Sequence, residues 1–417
     1  MTRQVVITGL GAVTPSGLTA DALWQSVVDG RSAIRVLEGD EFAQLPVRIG
    51  GQVRGFDTET ILDRTLAKRV SPVQHWAIAA ADEALGHAGV ASRALPWSPD
   101  RVSVIAATGS GPVDAMQQAT RAYDSRGARG VPLTLSMHGA PDSAAALLSQ
   151  RHGIRGAAQA VSATCASGAV ALGEGMRRIR HGYADAVLVV GMEDCLGPVH
   201  LSSNANMRAL AAGYEEQPEA ASMPFDRNRS GFVMSQGAAA VLLESDDAAA
   251  ARGAETLAVL SGFGSSSDAH HPTAPHPEGR GAAQAVREGL ADAGMTADDV
   301  GHINAHGTST PAGDAAEAKA LAAVFGERLA AVPITATKSS TGHLLGASGV
   351  VEAVIAVQSL RTGLLPPTLN LDSPEFDLDF ISGTARKQQV DTVLSTSFGF
   401  GGHNAALLLT HAQKGSL

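Results

Sequence analysis

Cysteine is scarce in this chain of 417 residues, which contains only Cys165 and Cys195. Two cysteines in so long a chain provide no disulfide framework, and a reducing cytoplasm suits such a composition best. Basic residues are also in deficit, since 31 lysines and arginines stand against 41 acidic residues and leave a formal net charge of -10. A chain without a basic excess cannot neutralise many phosphates, so we expect no general binding to nucleic acid.

Long apolar runs and aromatic side chains are sparse as well. No stretch of about twenty apolar residues is free of charges and turn formers, so no membrane span is predicted. Residues 1–9 lack the apolar run and cleavage site of a secretion signal and indicate a first strand instead. Aromatic residues make up 4% of the chain, whereas alanine, glycine and valine abound. Such a composition favours helices packed closely on sheets in an α/β protein.

Short runs of valine, isoleucine and leucine alternate with alanine-rich stretches of helical spacing. Residues 102–106 and 186–190 are two such apolar runs, and residues 73–88 have helical spacing. This pattern predicts a buried sheet covered by helices. In addition, residues 5–11 are echoed by residues 257–264, which favours a chain of two related halves.

Cys165 stands where an extended segment turns into a helix, in the sequence Val-Ser-Ala-Thr-Cys-Ala-Ser-Gly at 161–168. Backbone N–H groups and the dipole at a helix N-terminus stabilise a thiolate, so this position predicts a lowered thiol pKa and a nucleophilic sulfur. Judged from the cysteine alone, a small buried hydrophobic residue is the commoner interpretation. Cys195 has no comparable helix start, and we interpret it as structural.

Two histidines lie in loops rich in glycine, serine and threonine. His306 belongs to Asn-Ala-His-Gly-Thr-Ser-Thr at 304–310, and His343 ends Lys-Ser-Ser-Thr-Gly-His at 338–343. Loops commonly display catalytic side chains. For either histidine alone, however, a hydrogen-bonded structural role is the commoner interpretation.

Four motifs together carry a resemblance to a known family. They are Thr-Cys-Ala-Ser-Gly at 164–168, the two histidine motifs, and Ser-Phe-Gly-Phe-Gly-Gly-His-Asn at 397–404. In order and spacing they strongly resemble the β-ketoacyl-acyl-carrier-protein synthase I/II family, which includes type II polyketide ketosynthases. The resemblance extends from Val5 to about Leu409, and this joint agreement overrides the structural interpretations of the cysteine and the two histidines.

The resemblance implies a thiolase-like α/β fold. That fold is a five-layered α-β-α-β-α sandwich of two pseudo-repeated halves, each with a five-stranded sheet, and it normally forms a dimer. We place the N-terminal half with the nucleophile at 1–250, the C-terminal half with the histidine pair at 251–412, and a tail at 413–417. The segments Cys-Ala-Ser-Gly at 165–168 and Gly-Ala-Ser-Gly at 346–349 echo each other, and each opens a run with helical spacing. These two helix starts are then expected to meet near the centre, which brings Cys165 and His343 into one site.

The resemblance also implies a reaction. Cys165 takes an acyl chain from the phosphopantetheine arm of an acyl carrier protein. A malonyl carrier protein then loses CO₂, and its enolate, held by His306 and His343, attacks the acyl-cysteine. This decarboxylative Claisen condensation elongates a fatty acid or a polyketide. The implied substrates are carrier-linked acyl and malonyl groups, with no bound cofactor and no metal ion.

Further positions take their roles from the resemblance alone. The N–H groups of Cys165 and Phe400 are expected to form an oxyanion hole, and Lys338 with Glu352 a network behind the second histidine. Three more groups are implied: a mobile gate, two threonines that bind phosphopantetheine, and a basic patch that receives the acidic carrier protein. The gate is Phe398, Gly399, Phe400, Gly401 and Gly402, the threonines are Thr308 and Thr310, and the patch is Arg64, Lys68, Arg69, Arg126 and Arg129.

Several of these residues are also compatible with roles unrelated to catalysis. Lys338 and Glu352 are also compatible with a surface salt bridge, and the basic patch with an ordinary solvated face. His270, His271 and His276 are compatible with a metal site, but no compact ligand geometry can be read from their spacing. We interpret that segment as an active-site lid.

Three functions stay open at this stage. Two are condensing enzymes, of the fatty-acid type and of the polyketide or polyene type. Pro112 and Asn204 occupy positions where the usual fatty-acid enzyme has bulky apolar residues along its acyl tunnel, and a polar wall disfavours a plain saturated chain. The third function is a non-catalytic chain-length partner, which the presence of all three catalytic residues disfavours. Pairing with itself and pairing with a related subunit are both compatible with the sequence.

Overall fold

The computed structural model describes residues 3–62 and 64–412, so the tail predicted at 413–417 lies outside the described residues. Apolar runs form fully buried strands, as at residues 186–193, and alanine-rich stretches form the helices that cover them. The strands are β1 Val5–Val13, β2 Arg35–Val36, β3 Ile49–Gly50, β4 Val102–Ala107, β5 Ala158–Val161, β6 Ala186–Glu193, β7 Gly237–Ser245, β8 Ala258–Ser267, β9 His302–Asn304, β10 Ile334–Thr335, β11 Leu364–Leu365, β12 Arg386–Lys387, β13 Thr392–Gly399 and β14 His403–His411. The α-helices are α1 Ala20–Val28, α2 Arg64–Ala67, α3 Pro72–His87, α4 Val113–Arg126, α5 Leu135–His138, α6 Ser143–His152, α7 Ser167–Arg180, α8 Pro198–Asn206, α9 Asp246–Ala251, α10 Arg280–Ala293, α11 Pro311–Phe325, α12 Lys338–Thr341 and α13 Ser348–Thr362.

The main sheet repeats one arrangement of five strands twice. Its order is β10-β9-β13-β14-β8-β1-β7-β6-β4-β5. In each half the first strand pairs antiparallel with the fifth, and the fifth pairs antiparallel with the fourth. The fourth strand then pairs parallel with the second, and the second pairs parallel with the third. The two halves predicted from the sequence echo therefore share one topology.

The two halves of the sheet are joined at a short seam. Only two residue pairs connect β1 to β8, Val6 with Val259 and Ile7 with Ala258. The resemblance implied two separate five-stranded sheets, whereas hydrogen bonds at this seam join them into one ten-stranded sheet. The echoing segments at 5–11 and 257–264 include the strands that meet there.

Helices form three layers around the two halves of the sheet. Apolar residues of α3 and α6 pack against the outer face of β4, β6 and β7. Those of α10 and α11 cover the outer face of the C-terminal half. Between the halves, α7 and α13 share a single core with the inner faces of both. This succession is the predicted five-layered sandwich.

Glycines allow the two central helices to cross at their first turns. A methyl group at Gly349 would lie 2.5 Å from the backbone N of Ala169, and one at Gly168 would lie 2.7 Å from the N of Val350. Because only glycine fits such an approach, the helix starts of the two halves come into direct contact. The segment that ends in Cys165 and the loop that carries His343 thus reach the same place, as the resemblance implied.

Candidate active site

A strained turn presents Cys165 between β5 and α7. The residue before it, Thr164, has a left-handed φ of 48°, which costs a non-glycine residue roughly 1–2 kcal/mol. Hydrogen bonds hold the turn, because the Ser167 hydroxyl accepts from the N–H of Ala163 at 2.8 Å and donates to the Thr164 carbonyl at 2.6 Å. The turn directs the cysteine toward a cavity shared with the C-terminal half of the chain.

The last motif of the chain packs directly on this turn. The Thr164 hydroxyl donates to the carbonyl of Phe400 at 2.8 Å, and a methyl group at Gly399 would lie only 2.2 Å from the same hydroxyl oxygen. The backbone N–H groups of Phe400 and Cys165 both act on the cysteine sulfur as hydrogen-bond donors. Two amides thus lie beside the cysteine sulfur, where the resemblance implied an oxyanion hole.

The cysteine itself is a thiol at neutral pH. Burial raises the pKa of Cys165 to about 12, although the charge of Lys338 and the N–H of Phe400 lower it. The lowered pKa predicted from the helix start was therefore wrong, because desolvation outweighs the helix dipole and the nearby amides. Sulfur attack in this site requires a proton acceptor.

Two neutral imidazoles face the same cavity. The rings of His306 and His343 lie 5.4 Å apart between centroids, at 84° to each other. Burial, together with the charge of Lys338, holds the pKa of both histidines well below the ordinary value. Cys165 and both histidines line one cavity of about 350 Å³. Nε2 of His343 is buried without a hydrogen-bond partner among the described residues, so it is available to a ligand.

A buried ion pair supports the first histidine. Lys338 contacts the carboxylate of Glu352 and donates to the carbonyl of His306 at 2.7 Å. Its ammonium group also lies 3.3 Å from Nδ1 of His306. Because an ammonium can only donate, Nδ1 is the acceptor and the ring proton resides on Nε2. The lysine thus bonds to the first histidine, not to the second as expected from the resemblance.

Removal of this lysine is expected to destabilise the protein. Lys338→Met leaves Glu352 buried without its cation, and the free energy of unfolding should fall by about 3 kcal/mol. Denaturant unfolding followed by circular dichroism measures the change. Lys387→Met, at an exposed lysine, is the matched control and should change stability by less than about 0.5 kcal/mol. Equal stability of the two variants would show that the buried pair contributes nothing.

Sequence reasoning missed a second carboxylate behind His306. Glu317 of α11 accepts from the N–H groups of His306 and Gly307, both at 2.8 Å, and from the hydroxyl of Thr396 at 2.8 Å. It fixes the backbone that carries the histidine. A signal was present, since Asp314 and Glu317 are spaced three apart in an alanine-rich helix directly after the histidine motif.

The remaining motif residues line the same cavity up to its mouth. Thr308 and Thr310 line it with their hydroxyls 3.0 Å apart, as do four of the gate residues, Phe398, Gly399, Phe400 and Gly402. The N–H of Gly401 donates to the carbonyl of Pro272 at 2.7 Å, so the gate touches the segment interpreted as a lid. Arg208, which the sequence reasoning missed, is exposed at the same mouth.

The other predicted residues lie apart from the cavity lining. Pro112 immediately precedes α4, and Asn204 is near the end of α8, where its amide donates to the carbonyl of His200 at 2.9 Å. All five residues of the basic patch are exposed. Over residues 3–62 and 64–412, the structure contains no cluster of histidine, cysteine and acidic side chains suited to a metal ion. Nor does any described helix have the length and apolar content needed to cross a membrane.

Comparison of the sequence with models of protein families shows to which family the chain belongs. The model described as "Beta-ketoacyl synthase, N-terminal domain" matches residues 2–249, and the model described as "Beta-ketoacyl synthase, C-terminal domain" matches residues 257–372. The chain belongs to the β-ketoacyl synthase family. The resemblance seen in the four motifs is thereby confirmed.

Individual relatives of this β-ketoacyl synthase agree over its whole length. A 3-oxoacyl-(acyl-carrier-protein) synthase 2 of Synechocystis sp. is 38% identical over 414 residues, which is 99% of each chain. A protein of the same name from Vibrio harveyi is 37% identical and covers 97% of this chain and 98% of its own. The predicted condensing-enzyme class is confirmed by these full-length relatives.

Solved structures confirm the predicted thiolase-like fold. A β-ketoacyl synthase from Burkholderia phymatum superposes with a TM-score of 0.91 at 32% identity, covering 99% of this chain and all of that one. A second similar structure is described as a type II polyketide synthase acyl-carrier protein in complex with its ketosynthase bound to the hexaketide. It superposes with a TM-score of 0.90 at 29% identity and covers 99% of this chain and all of that one. The similar proteins thus include both 3-oxoacyl-(acyl-carrier-protein) synthases and a type II polyketide ketosynthase.

Proposed function

We propose that this chain is a β-ketoacyl-acyl-carrier-protein synthase that catalyses decarboxylative Claisen condensation. The observation that carries the proposal is the single cavity in which Cys165 meets two neutral imidazoles and two converging backbone amides. A nucleophile beside an oxyanion hole serves acyl transfer, and a pair of neutral hydrogen-bond donors serves an enolate. The non-catalytic alternative leaves this combination without a use.

The first half-reaction transfers the acyl chain to Cys165. The sulfur attacks the thioester carbonyl, and the N–H groups of Cys165 and Phe400 stabilise the resulting oxyanion. The thiol proton passes to Nε2 of His343, the buried nitrogen that lacks a partner in the described structure. Collapse of the tetrahedral intermediate breaks the bond to the carrier sulfur, and the departing thiolate takes that proton. His343 is neutral again after this step.

The second half-reaction forms the carbon–carbon bond. The malonyl group loses its carboxylate as CO₂, and the electron pair left behind forms an enolate whose oxygen accepts from Nε2–H of His306 and of His343. For this step His343 is in its other neutral tautomer, reached by proton exchange with solvent, with the proton on Nε2 and the Ser348 hydroxyl donating to Nδ1 across 3.0 Å. The enolate carbon attacks the acyl carbonyl, and the Cys165 thiolate leaves and takes a proton from solvent. Burial that keeps both rings neutral suits this role, because a neutral imidazole donates a hydrogen bond without giving up a proton.

The mouth of the cavity suits a phosphopantetheine arm. The hydroxyls of Thr308 and Thr310 offer polar contacts to its amides, and the gate closes over the acyl site. At the surface, the basic patch and Arg208 would steer an acidic acyl carrier protein toward the opening. We also propose that the protein acts in the cytoplasm as a dimer, with a second copy or with a related subunit as its partner.

The acyl chain is proposed to be polar, unsaturated or of polyketide type. The resemblance places Asn204 where the usual fatty-acid enzyme has an apolar tunnel residue. Its side chain is buried outside the lining of the active-site cavity, and its amide donates to the backbone carbonyl of His200 at 2.9 Å. Leucine has nearly the shape of asparagine but no polar atoms. Asn204→Leu is therefore expected to change the ratio of kcat/KM for saturated chains to kcat/KM for β-keto or polyene chains. The ratio should rise by roughly tenfold, the size of effect that one methylene group in a binding pocket produces.

Competition between paired acyl carriers measures this preference. Equal use of saturated and polyketide chains by wild type and Asn204→Leu alike would remove Asn204 from the tunnel wall. Val199→Leu, at an exposed apolar residue of the same helix, is the matched control and should leave the ratio unchanged.

Product analysis tests the function itself. Wild-type protein is offered a panel of saturated, unsaturated and β-keto acyl carriers together with malonyl carrier protein, and the products are identified by mass spectrometry. The proposal expects a carrier-bound β-ketoacyl product two carbons longer than the starter, with release of CO₂. If no starter is extended, and extension appears only when a second ketosynthase subunit supplies the nucleophile, the chain-length partner is the correct alternative.

A further inference from the structure

A fully buried carboxylate outside the reacting groups links the two halves of the site. Glu193 ends β6 and has no solvent exposure. Its Oε2 accepts from the N–H groups of Gly109 at 2.6 Å and Gly346 at 2.8 Å. Its Oε1 accepts from the hydroxyl of Thr108 at 3.1 Å and the N–H of Ser110 at 3.2 Å. One side chain therefore bonds two segments that are far apart in sequence.

The first of these segments supports the nucleophile. The Thr108 carbonyl lies 3.2 Å from the hydroxyl of Ser167, whose hydrogen bonds hold the turn before Cys165. The carbonyl of Gly109 accepts from the hydroxyl of Ser162 at 3.3 Å, and a methyl group at Gly109 would lie 3.7 Å from Cα of Thr164. Residues 108–110 thus form the floor on which the cysteine turn rests.

The second segment carries the second histidine. Gly346 follows His343 by three residues and lies just before α13. Leu345, the residue before Gly346, has a left-handed φ of 44°. A methyl group at Gly346 would lie 2.2 Å from the N of Gly109 and 2.6 Å from Oε2 of Glu193. The contact is therefore tight as well as hydrogen-bonded, and it permits little sliding of one segment past the other.

The surroundings of Glu193 make its ionised form unfavourable. Burial raises the pKa of Glu193 to about 7, and the groups that lower it are the four hydrogen-bond donors, with no cationic side chain among them. Its charge also raises the pKa of Cys165. A buried acid without a counter-ion is unfavourable unless its hydrogen bonds serve a purpose.

We propose that Glu193 is a positioning residue that fixes the separation between Cys165 and His343 by bonding the floor of the cysteine turn to the histidine loop. This inference rests on the proposed function, since it concerns the geometry of the same reaction. A displacement of about 1 Å between reacting groups can lower a rate by roughly 100-fold. The carboxylate is suited to prevent such a displacement because only an ionised acid accepts four hydrogen bonds at once.

Glu193→Gln tests the proposal. Glutamine keeps the shape but replaces one oxygen by an amide nitrogen, which would face backbone N–H groups that need an acceptor. Active sites are first titrated by acylation and intact-mass spectrometry, and condensation is then measured per acylated site. We expect kcat for condensation to fall roughly 100-fold per acylated site while the KM for malonyl carrier stays unchanged. Glu174→Gln, at a half-exposed glutamate of α7 that pairs with Arg177, is the matched control and should match wild type.

A purely structural role gives a different result. In that case Glu193→Gln lowers the fraction of sites that can be acylated, and the rate per acylated site equals that of wild type, which would overturn the proposal. If Glu193→Gln does not fold, Thr108→Val decides the matter, because it removes one donor to the carboxylate and should reduce the rate per acylated site in the same direction. An unchanged rate in Thr108→Val would likewise overturn it. Both tests presuppose that wild type condenses, so a failed wild-type reaction counts against the proposed function instead.

Discussion

Cys165→Ala is expected to form no acyl-enzyme and no condensation product while it still decarboxylates malonyl carrier protein. Alanine removes the nucleophile but leaves the two imidazoles, their supporting carboxylates and the amides of the oxyanion hole in place. Loss of the nucleophile should reduce condensation by on the order of 10⁴-fold or more. Intact-mass spectrometry reports the acyl-enzyme, and trapped CO₂ from carboxyl-labelled malonyl carrier reports decarboxylation.

The other cysteine provides the control for this experiment. Cys195 is buried, and its thiol donates to the carbonyl of Ser235 at 3.1 Å. Cys195→Ala should therefore still form acyl-enzyme and condensation product. An acyl adduct on Cys165→Ala would remove Cys165 from the role of nucleophile.

His306→Ala is expected to lower decarboxylation by roughly 10²–10³-fold while acyl transfer to Cys165 persists. The reason is that Nε2 of His306 carries a proton fixed by the lysine at Nδ1, and loss of one such donor to a developing oxyanion has an effect of this size. Acyl transfer is proposed to use the amides of Cys165 and Phe400 instead. The two half-reactions are measured separately, by CO₂ release and by acyl-enzyme formation.

An exposed histidine supplies the comparison for the second variant. His181→Ala, just beyond the end of α7, should retain both half-reactions. If His306→Ala lost acyl transfer and kept decarboxylation, the division of labour proposed for the site would be reversed.

Local sequence patterns were sufficient to predict much of this protein. The alternation of apolar runs with alanine-rich stretches gives the layers, and the echo between residues 5–11 and 257–264 identifies the first strands of the two halves. Cys165, His306 and His343 each lie in a motif of a few residues, so their neighbours in sequence were enough to single them out. Gly168, one of the two glycines at the helix crossing, belongs to the cysteine motif.

Features that depend on burial and long-range contacts could not be predicted in this way. The pKa of Cys165 is governed by desolvation, which the helix start alone does not reveal. The hydrogen bonds of Lys338 go to His306, a choice between two histidines that only the packing decides. Glu193 bonds Gly346 across 153 residues, and no local pattern connects them. The sheet seam likewise arises from two residue pairs.

A single-turnover experiment with the wild-type protein tests the central claim most directly. Acyl carrier protein is added alone, the acylated peptide is mapped by mass spectrometry, and malonyl carrier protein is then added. The account predicts one acyl group per active site, located on Cys165, which is chased into a β-ketoacyl product with one CO₂ released for each product formed. An acyl group located on another residue, or CO₂ release without loss of the acyl group from Cys165, would contradict it.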